Sequence, residues 1–333
     1  MILSRRSLLA APAILPLAIL PLAALPLAAT AQPAWQPTRQ LRLIVPFSPG
    51  GSTDVGGRII AERMSETLGQ PVVVENRTGA GGAVGFEAAA RSPADGYTML
   101  VATNGALTQA PHLGLMRTVD TRRDLVVLSL IFTTDVILVV HPSVPARTTQ
   151  EFVAFAKANP GRLSFATSGV GTGTHIFTEL FMAVAGIEMV HVPYRGSGQA
   201  MADLMNGTVQ VMLDQPASSI AQVRAGTIRL LGNSGPRRLA LAPETPTFTE
   251  SGLADATVQS WGSIAVPTGT PPAAMERLGV AVRDAVAHPQ VITRMASAGL
   301  DAVSNSQTEM QAFIGQEFER WGQVIRARNI RVE

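Results

Sequence analysis

Residues 41–69 read LRLIVPFSPGGSTDVGGRIIAERMSETLG, and this stretch predicts the fold. Leu41 to Pro46 is a short, mostly apolar run that predicts a buried strand. Ser52 to Asp54 offer N-cap side chains, and Gly69 ends the periodic segment. Between these signals, apolar residues recur at helical spacing: Val55, Ile59, Ile60, Met64 and Leu68. The stretch therefore predicts a strand, a tight turn and a helix.

The same alternation of strand and helix continues along the chain. Val72 to Glu75 and Tyr97 to Ala102 predict further strands of a first set, and a capping box at Thr148 and Glu151 opens a later helix. Four more apolar runs predict a second set of strands: Leu163 to Ala166, Met189 to Val192, Val209 to Leu213 and Ile228 to Leu231. Alternating strands and helices favour an α/β protein with two lobes, each a mainly parallel sheet flanked by helices.

Two crossover strands are expected to join the lobes, near Val136 to His141 and near Val258 to Val266. We predict that residues 38–138 and 262–333 form lobe 1 and that residues 139–261 form lobe 2. The helical C-terminal segment has no strands of its own, so we expect it to pack on lobe 1.

The first 31 residues predict an export signal. Arg5 and Arg6 precede an uncharged apolar run, and Ala29-Thr30-Ala31 is a signal-peptidase pattern, so cleavage is expected near Ala31. The paired arginines favour the twin-arginine route, while the Sec route stays open. A membrane anchor is the alternative, but the run contains Pro12, Pro16, Pro21 and Pro26, which disfavour a spanning helix. We expect a periplasmic protein.

Composition argues against several classes of function. The chain has 26 basic and 24 acidic residues, and removal of Arg5 and Arg6 makes the two numbers equal. A nucleic-acid partner that requires a broad basic face is therefore not expected. The chain has no cysteine, which excludes disulfides and thiolate chemistry.

Two strand-to-helix turns carry the same chemistry. Pro46 to Asp54 contains two glycines, Ser52 and Thr53 directly before a helix, and Thr167 to His175 repeats this composition in the second predicted lobe. Glycines expose main-chain N–H groups, and a helix N-terminus adds partial positive charge, so each turn would suit a carboxylate. Each would equally suit a capped turn that binds nothing. If the lobes face each other, both turns would hold one small anion between them.

Other motifs give weaker signals. His175 and Glu179 are one helical turn apart but have no companion ligands, so we expect no metal site. Gly79 to Gly85 departs from the dinucleotide pattern, and no Walker lysine or nucleophile elbow occurs, so we expect neither a cofactor nor hydrolase chemistry. Asp214 follows a predicted strand and would either accept hydrogen bonds from a ligand or cap a helix.

Ordered motifs over nearly the whole mature chain resemble one family. They include Pro46-Phe47-x-Pro49-Gly50-Gly51-x-x-Asp54, Val74-Glu75-Asn76-Arg77, Pro93-x-Asp95-Gly96-Tyr97-Thr98, Ser168-Gly169-x-Gly171, His191-Val192-Pro193-Tyr194-Arg195-Gly196 and Pro267-x-Gly269-Thr270-Pro271. On these residues the chain resembles the Bug proteins, the substrate-binding components of tripartite tricarboxylate transporters.

The resemblance implies a type II periplasmic-binding-protein fold, a monomer that closes on a small carboxylate, and delivery to membrane permease subunits. It places the ligand-binding residues at Phe47, Gly50, Gly51, Ser52, Thr53, Asp54, Asn104, Gly105, Ser168, Gly171, Thr172, Thr174, His175, Tyr194, Gly196 and Asp214. Thr118-Val119-Asp120 and Asp135 depart from the family pattern, where tyrosine and proline are usual.

Two alternatives remain open at this point. A sensor would present the bound carboxylate to a signalling partner, and neighbouring permease or sensor genes would distinguish it from a transport protein. An exported enzyme would need a nucleophile, an acid–base pair or a cofactor in the cleft, and the sequence offers no convincing set.

Overall fold

The computed structural model of the protein describes residues 35–331. The predicted export signal, residues 1–31, lies outside this range. Within the described range, none of the helices is both long enough and apolar enough to cross a membrane.

Strands and helices alternate as the sequence predicts. The strands are β1 Leu41–Val45, β2 Val72–Asn76, β3 Thr98–Thr103, β4 Leu125–Asp135, β5 Ile137–Val140, β6 Ser164–Thr167, β7 Val190–Pro193, β8 Val211–Asp214, β9 Arg229–Asn233, β10 Gln259–Pro267 and β11 Asp301–Ala302. The α-helices are α1 Ser52–Leu68, α2 Ala83–Ala90, α3 Thr149–Ala158, α4 Gly173–Ala185, α5 Ser197–Asn206, α6 Pro216–Arg224, α7 Pro272–Ala287, α8 Pro289–Ser297 and α9 Gln307–Ala327.

The strands form two sheets, in the orders β11-β4-β10-β3-β1-β2 and β7-β6-β8-β5-β9. We call the first sheet with its helices lobe 1 and the second lobe 2. β1 pairs in parallel with β2 and β3, and β6 pairs in parallel with β7 and β8. The strands that lead between the sheets run antiparallel within lobes that are predicted as mainly parallel: β10 runs antiparallel to β3 and β4, and β5 runs antiparallel to β8 and β9.

β1 is buried on both faces, which fixes its position in the middle of a three-layer lobe. Leu43 and Val45 pack with Ile60 of α1 on one face, in a cluster that also contains residues of α7. Ile44 points to the other face and packs with Phe86 of α2. The alternation of side chains along a strand therefore places helices on both sides of this sheet.

Helix caps are predicted with mixed success. The capping box predicted for α3 forms in part: Thr148 Oγ1 accepts a hydrogen bond from Glu151 N–H at 3.1 Å, but the Glu151 carboxylate accepts from Arg147 N–H and not from Thr148 N–H. The side-chain cap predicted for α1 is wrong: its N-cap is Gly51 in an extended conformation, without a side-chain hydrogen bond. The first N–H groups of α1 are therefore not satisfied by a capping side chain.

Helix α9 contacts the cores of both lobes, whereas α7 and α8 pack against lobe 1. Met310 near its start lies in the lobe 1 cluster with Trp261. Trp321 near its end lies in the lobe 2 cluster, with its ring 5.3 Å from that of Phe177. The predicted packing of the C-terminal helices on lobe 1 thus describes only part of α9.

Ser234 joins the two places where the chain passes between the sheets. Its main chain donates to Val136 O at 2.7 Å and accepts from Val258 N–H at 3.2 Å. Its hydroxyl accepts from Val136 N–H at 2.9 Å and donates to Val258 O at 2.7 Å. Four hydrogen bonds therefore hold both crossovers to one fully buried residue.

Replacement Ser234→Ala is expected to destabilise the protein by about 1–3 kcal/mol, because it leaves the buried Val136 N–H without its hydroxyl acceptor. Urea unfolding followed by circular dichroism measures this loss. Ser297→Ala is the matched control, since that hydroxyl bonds Thr293 O on an exposed helix surface and should change stability by less than about 0.5 kcal/mol. Equal effects of the two variants would contradict a joining role for Ser234.

Candidate functional site

The turn between β1 and α1 reaches across to lobe 2. Ser48 N–H donates to Arg195 O at 3.1 Å, a main-chain hydrogen bond between the lobes. A Cβ built on Gly51 would lie 3.8 Å from Ser197 Cβ, at the start of α5. The N-termini of α1 and α5 therefore meet at one cleft.

The turn after β3 makes a second contact between the lobes. Gly105 lies so close to the start of α4 that an added Cβ would be 2.6 Å from Gly173 N. The neighbouring Asn104 side chain accepts a hydrogen bond through Oδ1 from Ser260 Oγ at 3.3 Å. This turn thus brings the predicted residues Asn104 and Gly105 next to the Thr167 to His175 turn.

A third contact was not anticipated from the sequence. The turn Gly79–Gly82 packs on Val170 of lobe 2, and a Cβ on Gly81 would clash with the Val170 carbonyl oxygen. The glycine cluster that follows β2 is the sequence signal for this contact. With this contact, three turns of lobe 1 meet the strand-to-helix turns of lobe 2.

Among the buried polar side-chain atoms without a hydrogen-bond partner within residues 35–331 are three donors at or next to the glycines of lobe 1 that contact lobe 2: Ser48 Oγ, Ser52 Oγ and Asn104 Nδ2. Ser52 is 2% exposed and Asn104 is 1% exposed. Buried polar atoms normally find partners, so each of these three has the capacity for one further hydrogen bond. All three atoms can donate a hydrogen bond, and Ser52 is also the first residue of α1, where the helix dipole favours an anion. Ser48 was not among the predicted ligand residues.

Asp54 holds the first turn in place. Its carboxylate accepts hydrogen bonds from Gly50 N–H at 3.1 Å, from Asn76 Nδ2 at 2.9 Å and from Arg58 Nε at 3.0 Å. Burial by itself raises the pKa of Asp54, but the hydrogen bonds from Arg58, Asn76 and Gly50 outweigh it, and the pKa lies below its ordinary value. Asp54 therefore holds the shape of the turn through its own contacts. Of the other predicted ligand residues in this turn, Gly50 is exposed and Thr53 is half-buried.

The turn that leads into α4 is held by its own side chains. Thr174 Oγ1 accepts from Ser168 N–H at 3.0 Å, and Thr172 Oγ1 donates to Gly169 O at 2.7 Å. His175 Nδ1 accepts from Gly171 N–H at 3.1 Å. These bonds give the predicted residues of this turn a fixed conformation next to the cleft.

His175 stacks on His191 with a ring separation of 3.8 Å. Burial, followed by the nearby His175, lowers the pKa of His191 to about 4. His175 Nε2 also lies 3.6 Å from Glu179 Oε1. In the described part of the chain, no group of three possible ligands is placed to hold a metal ion.

Tyr194 and Asp214 make their hydrogen bonds within lobe 2. Tyr194 OH donates to Asp203 at 2.6 Å. Asp214 is fully buried and accepts from the hydroxyls of Ser197 and Ser219, each at 2.7 Å. Burial raises the pKa of Asp214, although these hydrogen bonds oppose the change. Asp214 thus positions Ser197 at the start of α5, next to Gly196, and its assignment as a ligand-binding residue stays a prediction.

Residues 57–330 match the model of the tripartite tricarboxylate transporter family receptor. The chain belongs to this family. The predicted resemblance to the Bug proteins is thereby confirmed. Protein BugT of Bordetella pertussis is 35% identical over 292 residues, which cover 87% of this chain and 89% of BugT.

Solved structures of similar proteins confirm the two-lobe fold of this family member. The periplasmic binding protein BugD is 28% identical and has a TM-score of 0.85, over 89% of this chain and 99% of BugD. A protein of R. palustris solved with adipate is 32% identical and has a TM-score of 0.84, over 89% of this chain and 99% of its own.

Replacement Asp54→Asn is expected to destabilise the protein by about 1–2 kcal/mol at pH 7, because it removes the charge that accepts from Arg58. A carboxyl with a lowered pKa stabilises the fold above its ordinary pKa, and this contribution is lost as the pH falls. The difference from wild type should therefore shrink below pH 4. Asp255→Asn is the control, since Asp255 pairs with Arg328 on the surface. Urea unfolding at pH 7 and pH 3.5 gives both comparisons, and a pH-independent difference would contradict this role.

Acidification between pH 6.5 and about 4 is expected to destabilise the protein through His191. In this window the unfolded chain protonates its histidine near pH 6.5, whereas the folded protein keeps His191 neutral until about 4. In urea unfolding at several pH values, His191→Gln should make stability fall less steeply over this window. An unchanged slope in His191→Gln would show that the stacked pair does not cause the loss.

Proposed function

We propose that this protein captures a small carboxylate in the cleft between its lobes and delivers it to the membrane subunits of a tripartite tricarboxylate-type transporter. The observation that carries the proposal is the set of buried donors without partners: Ser48 Oγ, Ser52 Oγ and Asn104 Nδ2. They lie on turns that contact lobe 2 through main-chain atoms. Such a set favours a small group that only accepts hydrogen bonds, and a carboxylate is such a group.

The charge of the ligand follows from the same turns. The start of α1 adds partial positive charge without a side-chain cap, so a carboxylate can be neutralised without a buried lysine or arginine. The adipate-bound relative supports this ligand class, because adipate also offers carboxylates. Export to the periplasm, with cleavage near Ala31, is part of the proposal, as is a monomeric state.

Binding without chemistry is favoured by the surroundings of the acidic and histidine side chains. Asp54 is engaged by Arg58 and Asn76, Asp214 by serine hydroxyls, and His175 Nδ1 by Gly171 N–H. Catalysis would require an acid, base or nucleophile available to a substrate. In the cleft as described for residues 35–331, these groups instead hold the turns.

Replacement Ser52→Ala tests the proposal. It removes a buried hydroxyl that has no partner, so the ligand-free protein should be as stable as wild type or slightly more stable. Carboxylate affinity should fall roughly tenfold or more, because a hydrogen bond to a charged group is lost. A thermal-shift screen of carboxylates followed by titration calorimetry measures both quantities.

Ser251→Ala is a matched control, because Ser251 Oγ is also buried without a partner but lies in the turn that leads from Phe248 to Leu253. This variant should bind as wild type does. If no carboxylate stabilises the wild-type protein, or if both variants bind equally well, the proposed site is wrong. Copurification with the permease subunits, increased by bound carboxylate, tests delivery.

A further inference from the structure

Two of the predicted ligand-binding residues, Gly171 and Tyr194, line a cavity between the lobes. We call it the outer chamber: a cavity of about 650 Å³ between the turn at Ala80–Ala83, residues 110–118, and the segments Gly169–Gly171 and Pro193–Tyr194 of lobe 2. Gly81 and Gly169, which make the contact between lobes beside the cleft, also line this chamber. The chamber therefore shares the Gly79–Gly82 and Thr167–His175 turns with the contacts between the lobes, and a ligand that extends from the cleft on this side would enter it.

The walls of the outer chamber are mainly apolar. Its apolar lining side chains include Ala83, Ala110, Leu113, Leu115 and Met116. Tyr194 also lines it, and its hydroxyl is engaged by Asp203 at 2.6 Å, which leaves the ring as the available surface. Arg117 is the charged residue of the lining, and it is exposed. Such walls favour a ligand body made of carbon and hydrogen.

Two features show that the chamber has a defined shape. Leu115 of lobe 1 packs directly on Gly171 of lobe 2, at a distance that an added Cβ would not allow. Met116 and Ala80, both in the lining, have positive φ angles of 62° and 48°. Positive φ in residues other than glycine is uncommon and costs energy, so the surrounding contacts must hold these two wall residues in place.

We infer that the outer chamber is a hydrophobic subsite and that the ligand is a monocarboxylate with an apolar body, either aliphatic or aromatic. This inference rests on the proposed function, because the carboxylate would be held by Ser48, Ser52 and Asn104. The apolar body would then lie against Leu115 and Met116. Leu115 is the residue that determines specificity, since it contacts both the chamber and the opposite lobe.

Two effects on binding affinity, burial of methylenes and desolvation of a second carboxylate, both favour monocarboxylates over dicarboxylates. Each methylene buried in the chamber should tighten binding about fourfold. A second carboxylate would lose hydration against Leu115 and Met116. Arg117, the one cation that the lining offers to such a carboxylate, is exposed, and an exposed ion pair increases affinity about fivefold at most.

Matched pairs of ligands test the inference by titration calorimetry. Butanoate, hexanoate and octanoate are compared with succinate, adipate and suberate, which have the same number of carbon atoms and carry a carboxylate in place of the terminal methyl. Affinity should rise about fourfold per methylene along the monocarboxylates until the chamber is filled. At each length the monocarboxylate should bind more tightly than its dicarboxylate partner.

Two chamber variants sharpen the test. Leu115→Ser should weaken octanoate binding about tenfold and leave butanoate binding nearly unchanged, and Ala83→Phe should do the same by filling the space. Val190→Ser is the control, since Val190 is 53% exposed on the edge strand β7. Two independent substitutions in the lining keep the test decisive if one of them does not fold.

The outcomes separate this inference from the proposed function. If none of the six acids binds and a wider carboxylate screen also fails, the proposed function is wrong, and the inference fails with it. If the acids bind but their affinity does not change with chain length, only the hydrophobic subsite is wrong. The same conclusion follows if the dicarboxylates bind more tightly than the monocarboxylates and Arg117→Gln removes that difference. Chain-length dependence that is lost in both chamber variants supports it.

Discussion

The lobes meet through main-chain atoms, and this constraint determines the chemistry of the cleft. Ser48 N–H bonds Arg195 O directly, and Gly105 and Gly81 lie against the backbone of residues 170–173. At these three contacts backbone meets backbone, which leaves no room for a long side chain between them. The groups proposed to face the charged end of a ligand are therefore main-chain amides, short hydroxyls and one amide side chain, all of which can donate hydrogen bonds. A negatively charged ligand matches such a surface without a buried cation.

The turns of this cleft are held in place by polar residues that bond to them within the same lobe. Asp54 fixes the first turn through Gly50 and Arg58, His175 fixes the turn at Gly171, and Asp214 fixes Ser197. In each case the polar side chain that stands out in the sequence is engaged within its own lobe. Because their charges are engaged in this way, the carboxylates of Asp54 and Asp214 would repel an anionic ligand less than free carboxylates would.

The local elements were accessible from the sequence because their signals are local. β1, α1 and the Thr148 cap follow from apolar spacing and capping residues over a few positions. The role of Ser234 was not accessible, since its four hydrogen bonds join residues far apart along the chain. The two-sided packing of α9 was missed for the same reason. Within the site, the glycine turns were predicted, but the unpartnered atoms Ser48 Oγ and Asn104 Nδ2 depend on which turn faces which, and only the tertiary structure provides that.

The departures from the family pattern lie at the wall of the outer chamber and at one of the crossovers between the lobes. Thr118, in a segment that lacks the usual tyrosine, lines the outer chamber and not the donor turns. Asp135, which replaces the usual proline, lies where the chain leaves β4 for β5 and accepts from Asn233 Nδ2 at 3.1 Å and from Gln259 Nε2 at 2.9 Å. Ser48 and Ser52, which would bind the carboxylate, occupy variable positions within the first family motif, while the departures from the family pattern affect the chamber wall and the crossover. Under the two proposals, recognition of the charged group and selection of the rest of the ligand would therefore fall to different segments of the chain.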